Sequence, residues 1–272
     1  MYINSFDETR IWYDFSRQKK PVLIFIHGWV NNWTTWKKEI IFFQKKGYSI
    51  LKLDLRGHGK SDKPEEHEKY GLEYFAKDIH EIIKKENIKK FILIGHSMGG
   101  MIALKYYELY KKEKKIKSLI LCDTTYHKVI KNELMNSPFT QRIIEFMSSK
   151  KEWTKLRNPN GKIMDLSKFN KSADYFIFYE GLHNTSMSCV FSCLAEMMKF
   201  NLKKVLNTIT EPTLILHGER DKLILKENSF ELFQNIKNSH IEIIPEGTHF
   251  INVQNSELVD DLIFNFLNKN KI

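Results

Sequence analysis

Long apolar runs are missing from this sequence of 272 residues: its most hydrophobic stretches, Val22–Ile26 and Phe91–Ile94, stop far short of the roughly 20 residues that span a bilayer. No integral membrane segment is expected. Cysteine is scarce, and the three present (Cys122, Cys189 and Cys193) are an odd set that argues for reduced thiols rather than a disulfide framework. Cys189 and Cys193, four apart on an expected helix, read as two small apolar residues. The first residues, Met1–Glu8, carry neither a basic n-region nor an apolar h-region, so no signal peptide is expected and a cytoplasmic location follows. Arginine is also short. Lys plus Arg exceed Asp plus Glu by 43 to 33, a net charge of +10, but only Arg10, Arg17, Arg56, Arg142, Arg157 and Arg220 are arginines. Bidentate phosphate and base recognition favours arginine, and no helix-turn-helix, finger or RNP pattern accompanies the scattered lysine pairs, so no nucleic-acid partner is expected.

What is present is an ordinary globular composition, 42% apolar, in a chain long enough to bury roughly 70–75% of its unfolded surface without disulfides or a structural metal. Short apolar runs alternate with amphipathic stretches of helical length, the pattern of βαβ units around a mostly parallel sheet. Strands are expected at Arg10–Phe15, Pro21–Ile26, Tyr48–Asp54, Phe91–Gly95, Ile116–Cys122, Pro212–His217 and His240–Ile244, and helices at Trp33–Lys46, Leu72–Lys85, Met98–Tyr110, Lys226–Gln234 and Ser256–Asn268. The rhythm breaks between Thr124 and Asn207, where only helical patterns rich in aromatics occur, among them Tyr126, Phe139, Phe146, Trp153 and Phe178. The expectation is an α/β core formed by 1–123 and 208–272, with a helical insertion at 124–207.

The chemistry is concentrated in Gly95-His96-Ser97-Met98-Gly99-Gly100, set between an apolar strand and a helix. A Gly-x-Ser-x-Gly in that context is a nucleophile elbow: a sharp, strained turn exposes the serine oxygen, and small neighbours avoid clashes with the adjoining strand and helix. A serine hydroxyl is a poor nucleophile without a base, so a histidine and an acid should stand at other strand ends. Asp221 follows the strand ending at His217, and His249 follows the strand ending at Ile244. The order Ser97, Asp221, His249 is the one this elbow calls for. Asp123, which closes the strand Leu119–Cys122, is the rival acid; its alternative reading is a cap at the start of the insertion.

These motifs, together with Ile26-His27-Gly28-Trp29, Asp54-Leu55-Arg56-Gly57-His58-Gly59-Lys60-Ser61-Asp62, Leu216-His217-Gly218-Glu219-Arg220-Asp221 and Gly247-Thr248-His249, give the chain a resemblance to the α/β-hydrolase superfamily over nearly its whole length. The resemblance implies the α/β-hydrolase fold, a mostly parallel central sheet with flanking helices and an inserted helical cap. It implies an oxyanion hole from the backbone N–H groups of Trp29 and Met98, and a small-molecule ester as substrate. The pattern is similar to carboxylesterases, monoacylglycerol lipases, enol-lactone hydrolases and carbon–carbon bond hydrolases. Serine rather than aspartate at the elbow departs from haloalkane dehalogenases and epoxide hydrolases.

Trp29, His96 and Tyr126 are expected to meet the substrate, although Trp29 could equally pack in the core. His27 is expected to order the oxyanion loop and Arg56 to pin the loop after its strand. No histidine–carboxylate spacing matches a zinc site and no glycine-rich phosphate loop occurs, so no cofactor is expected. The aromatic content of the insertion points to an apolar acyl or aryl ester. The same triad would serve a lactone or a carbon–carbon bond, and a non-catalytic receptor on this scaffold is the alternative of another class.

Overall fold

A computed structural model describes residues 1–128 and 163–272. Eight strands form one sheet: β1 (Tyr2–Asn4), β2 (Arg10–Ser16), β3 (Lys20–Ile26), β4 (Tyr48–Leu53), β5 (Phe91–His96), β6 (Ile116–Cys122), β7 (Thr213–Gly218) and β8 (Ser239–Ile244). Their order is β1-β2-β4-β3-β5-β6-β7-β8. β1 and β2 are antiparallel, β2 meets β4 antiparallel, and every later pairing is parallel.

The inner parallel strands, β3 to β7, are largely buried on both faces because helices cover both, while the edge strand β8 is mostly half-buried. Period-two alternation sends Val22, Ile24, Ile26, Leu93, Leu119 and Leu121 into one core layer, under α2 (Leu72–Lys85) and α3 (Met98–Tyr110). Their neighbours Leu23, Phe25, Ile92, Ile94, Ile120 and Cys122 enter the other. That second layer is closed by α1 (Lys37–Lys45) and, from the far end of the chain, by a helix over Ser256–Lys269.

Helix α2 shows the sequence logic plainly. Leu72, Phe75, Ala76, Ile79, Ile82 and Ile83 recur at helical spacing and are all buried, while Lys84 and Lys85 in the last turn suit the negative end of the dipole. At α1 the expected helix from Trp33 begins instead with a 3₁₀ turn, Trp33–Trp36, whose first turn is capped by the Asn32 side-chain oxygen accepting from the Thr34 N–H at 2.9 Å. β1 has no counterpart in the sequence pattern, because three residues are too few to display a period.

Between β6 and β7 the described residues form α4 (Asp174–Gly181), α5 (Met187–Lys199) and α6 (Lys203–Leu206), with 3₁₀ turns and one isolated bridge from His127 to Asn201. Phe139, Phe146 and Trp153, and with them part of the insertion expected at 124–207, lie outside the described residues. After β7 come α7 (Lys226–Asn235), α8 (Ile251–Gln254), which the periodicity does not reveal, and α9 (Ser256–Lys269). The parallel run from β3 to β8 brings His27, Ser97, Asp123, Asp221 and His249 to one edge of the sheet, at or beyond the strands' carboxyl ends.

Candidate active site

Ser97 sits between β5 and α3 with φ 52° and ψ −120°, a conformation an L-residue adopts only when its surroundings enforce it. The enforcement is visible. Its N–H donates to the Cys122 carbonyl at 2.9 Å and its own carbonyl accepts from the Thr124 hydroxyl at 2.7 Å. The turn leaves no room beside it: a β-carbon on Gly95 would stand 2.4 Å from the Gly99 oxygen, and one on Gly99 would stand 2.3 Å from the Ile26 oxygen. Ser97 itself is half-buried while His96 and Met98 on either side are buried.

Asp221 and His249 meet at the same edge. His249 Nδ1 lies 2.8 Å from Asp221 Oδ2, and a carboxylate can only accept, so Nδ1 carries a proton and, in the neutral ring, Nε2 is the free lone pair. The other Asp221 oxygen accepts from the N–H groups of Leu223 at 2.7 Å and Ile224 at 3.0 Å. Burial by itself would raise this carboxyl, but His249 and the two backbone donors overcome it and hold Asp221 below the usual carboxylate range. Asp123 has a different surrounding. One of its oxygens accepts from the Gly218 N–H at 2.7 Å, the other has no partner among the described residues, and burial followed by the Asp221 charge pushes its carboxyl well up. It is braced on β7 and makes no hydrogen bond to His249. Asp123, His217 and Asp221 offer ligand atoms within 4.8 Å of one another, yet the Asp221 oxygens are committed to His249 and the backbone.

The loop after β3 is organised by two buried histidines. His27 Nε2 accepts the Leu55 N–H at 3.0 Å, which leaves Nδ1–H to donate to the Gly28 carbonyl at 2.9 Å. Burial, then the neighbouring His58, keep His27 well below the usual histidine value. His58 Nε2 accepts the N–H of Val30 at 3.2 Å, and its Nδ1–H donates to the Arg56 carbonyl at 2.8 Å. Val30 is held at φ 61°. Arg56, fully buried, closes the base of this region through Nε and Nη2 on Asp78 at 2.7 and 2.6 Å and Nη1 on Asp7 at 3.0 Å. Among the described residues the N–H groups of Trp29 and Met98 meet no backbone acceptor.

The three residues expected against the substrate are placed differently from one another. Trp29 is half-buried, its indole N–H donating to the Val190 carbonyl at 3.1 Å and its ring 5.3 Å from Phe178 of α4. His96 has no exposed surface: Nε2 donates to the His249 carbonyl at 2.6 Å, and burial, with His249 beside it, lowers the imidazole to about 3. It stands behind His249 rather than facing a ligand, because alternation along β5 turns it toward Trp36 and Phe250. Tyr126 is likewise turned away, its hydroxyl donating to Glu231 of α7 at 2.8 Å.

Sequence reasoning did not single out Asp174, at the start of α4. Its carboxylate accepts the His249 N–H at 3.1 Å, the Thr248 hydroxyl at 2.6 Å and the Gln254 amide at 3.1 Å. A lone acid in a helical stretch, 75 residues before His249, carries no sequence signal.

Residues 21–256 match the family described as alpha/beta hydrolase fold. Epoxide hydrolase 4 of Mus musculus is 29% identical over 274 residues, covering 91% of this chain and 73% of that protein. The AB hydrolase superfamily protein YisY of Bacillus subtilis is 27% identical, with 98% of each chain covered. Among solved structures, an esterase from Exiguobacterium antarcticum superposes with a TM-score of 0.78 at 24% identity, covering 98% of both chains.

Proposed function

The chain belongs to the α/β-hydrolase family, and from that premise we propose that it is a serine hydrolase cleaving carboxylic esters through an acyl-enzyme on Ser97. The observation that carries this reading is the pairing of a serine at φ 52° in the elbow with a histidine whose Nδ1–H is 2.8 Å from a buried carboxylate on the same sheet edge. One relative is named an epoxide hydrolase, but the serine at the elbow of this chain favours an acyl-enzyme.

In the proposed reaction His249 Nε2 takes the Ser97 proton as Oγ attacks the ester carbonyl. Asp221 holds the imidazole in the Nδ1–H form and stabilises the imidazolium. Negative charge on the carbonyl oxygen falls on the N–H groups of Trp29 and Met98, the latter at the positive end of α3. His249 then protonates the departing alcohol, and water, deprotonated by the same imidazole, frees the acid. Segment 124–207 is taken as a cap over this site. The reach of Phe178 and Val190 to Trp29, and of Asp174 to the His249 loop, supports that assignment. Aromatic rings at this contact favour an apolar acyl or aryl group.

The test is a hydrolysis screen over p-nitrophenyl esters of increasing chain length, lactones and vinylogous diketones, with Ser97→Ala as control. Ester turnover abolished by Ser97→Ala is the expected result. Turnover confined to lactones or diketones would change the substrate class, and no turnover with no fluorophosphonate adduct on Ser97 would sink the reading.

A further inference from the structure

We propose, resting on the serine-hydrolase reading, that Asp174 is a positioning residue for His249, and that through it helix α4 of the insertion sets the base of the triad. His249 lies on a short loop between β8, the edge strand of the sheet, and α8, so the sheet alone leaves it weakly held. Three separate segments hold it. Asp221 takes the side-chain N–H, His96 donates to the main-chain oxygen at 2.6 Å, and Asp174 Oδ2 accepts the main-chain N–H at 3.1 Å. The first two come from the core; the third comes from the insertion. An acid in the first turn of a helix ordinarily serves the helix's own dipole. Here the Asp174 oxygens are spent across the gap on the backbone of His249, the hydroxyl of Thr248 and the amide of Gln254. Hydrogen bonds to a charged acceptor are roughly twice as strong as neutral ones, which suits a clamp on a loop.

The other end of α4 meets the oxyanion side. A β-carbon on Gly181 would stand 1.9 Å from the Val30 carbonyl oxygen, and Phe178 packs on Trp29. Ile177, next to Phe178 on α4, is buried with Phe250 and Val253 of the His249 side. One helix therefore braces both the base and the loop carrying the proposed oxyanion donor. A docking shift of the insertion is transmitted to the two together.

The experiment compares the wild-type full chain with Asp174→Ala and Asp174→Asn in two readouts: the rate of phosphonylation of Ser97 by a fluorophosphonate, and kcat and KM on a p-nitrophenyl ester. Since a misplacement of about 1 Å costs roughly 10²-fold, Asp174→Ala is expected to slow labelling and kcat by about 10²-fold with KM changed by less than about threefold. Asp174→Asn keeps an oxygen for the His249 N–H but loses the charge, and is expected to be about three- to tenfold slower than wild type. An acid that only stabilises the helix would lower Tm in both variants and leave labelling of the folded protein at the wild-type rate. That result overturns the proposal, as does an Asn variant no faster than the Ala one. Should Asp174→Ala fail to fold, Asp174→Asn decides alone: a kcat about three- to tenfold lower at unchanged KM supports the clamp, and equality with wild type removes it. A wild-type chain that takes no label defeats the hydrolase reading and this inference with it, whereas equal labelling of wild type and Asp174→Ala defeats this inference only.

Discussion

His96 donates its Nε2–H to the main-chain oxygen of His249 across 2.6 Å, with the two rings 4.9 Å apart, so the residue preceding the elbow serine holds the loop of the base. Removing that donor leaves a buried carbonyl unsatisfied, at a cost of about 1–3 kcal/mol. His96→Leu is expected to lower kcat by about tenfold while KM stays near wild type, and to lower Tm. Steady-state kinetics with a thermal melt checks both; an unchanged kcat would mean the loop is held without it.

Asp221 and Asp123 are separated by function in the proposed triad. Loss of the acid that fixes the histidine tautomer costs about 10⁴ in turnover in enzymes of this type, so Asp221→Asn is expected to be crippling. Asp123→Asn, at a carboxyl that burial pushes up and that accepts the Gly218 N–H, is expected to stay within about tenfold of wild type. The reverse ranking would reassign the acid.

Gly181 stands at φ −62°, where alanine has no backbone penalty and would favour the helix by about 1 kcal/mol. Its added methyl would nevertheless meet the Val30 oxygen at 1.9 Å. Gly181→Ala is therefore expected to lower kcat by displacing Trp29 and Val30, with the loss on the order of 10-fold or more. Turnover at the wild-type level would show that α4 can move without touching the loop.

Two buried carboxyls give the fold a dependence on pH. Asp260 is raised to about 7 by burial, then by Asp261 and Glu257, and Glu39, with no partner on either oxygen among the described residues, is raised well above its usual value by burial and by Asp260. A carboxyl whose folded value exceeds the unfolded one binds more protons in the native state, so its contribution is fully present below the unfolded value and is lost as pH rises through the folded one, which for Asp260 is about 7. Asp260→Asn and Glu39→Gln are expected to raise stability by on the order of 1 kcal/mol at pH 8 and to change it little at pH 4. Urea unfolding at the two pH values measures the difference, and an equal gain at both would refute the assignment to titration.

Arg56 is wholly buried between Asp78 and Asp7. Deleting one side of such a cluster strands the other in a low-dielectric interior, so Arg56→Met is expected to cost about 3–5 kcal/mol. Adding Asp78→Leu should return part of it. A chemical-denaturation cycle over the single and double variants tests this, and strictly additive losses would contradict the coupling.

Much of the molecule was legible in the residues. The apolar runs beginning near Arg10, Pro21, Tyr48, Phe91, Ile116, Pro212 and His240 each became a strand of the sheet within a residue or two at either end, most plainly the inner ones, since strands buried on both faces leave continuous apolar signatures. Ser97 was equally legible, since an elbow needs glycine at fixed offsets and Gly95 and Gly99 stand there. The destinations of His96 and Tyr126 were not. A residue type says what a side chain can bond to, while the direction of a side chain is set by strand parity and helix docking. His96 turned inward to a carbonyl 153 residues away, and Tyr126 to Glu231, 105 residues on.

By itself, then, the sequence determined the α/β layering and the positions of the elbow serine and of the histidine and aspartate that follow later strands, since those depend on local period and on backbone space. Only the tertiary structure decided that Asp221 rather than Asp123 reaches His249, and that Asp174 and His96 grip its two main-chain ends. Hydrogen bonds of about 3 Å between residues 28, 75 and 153 positions apart exist only once sheet register and helix packing have fixed every intervening element.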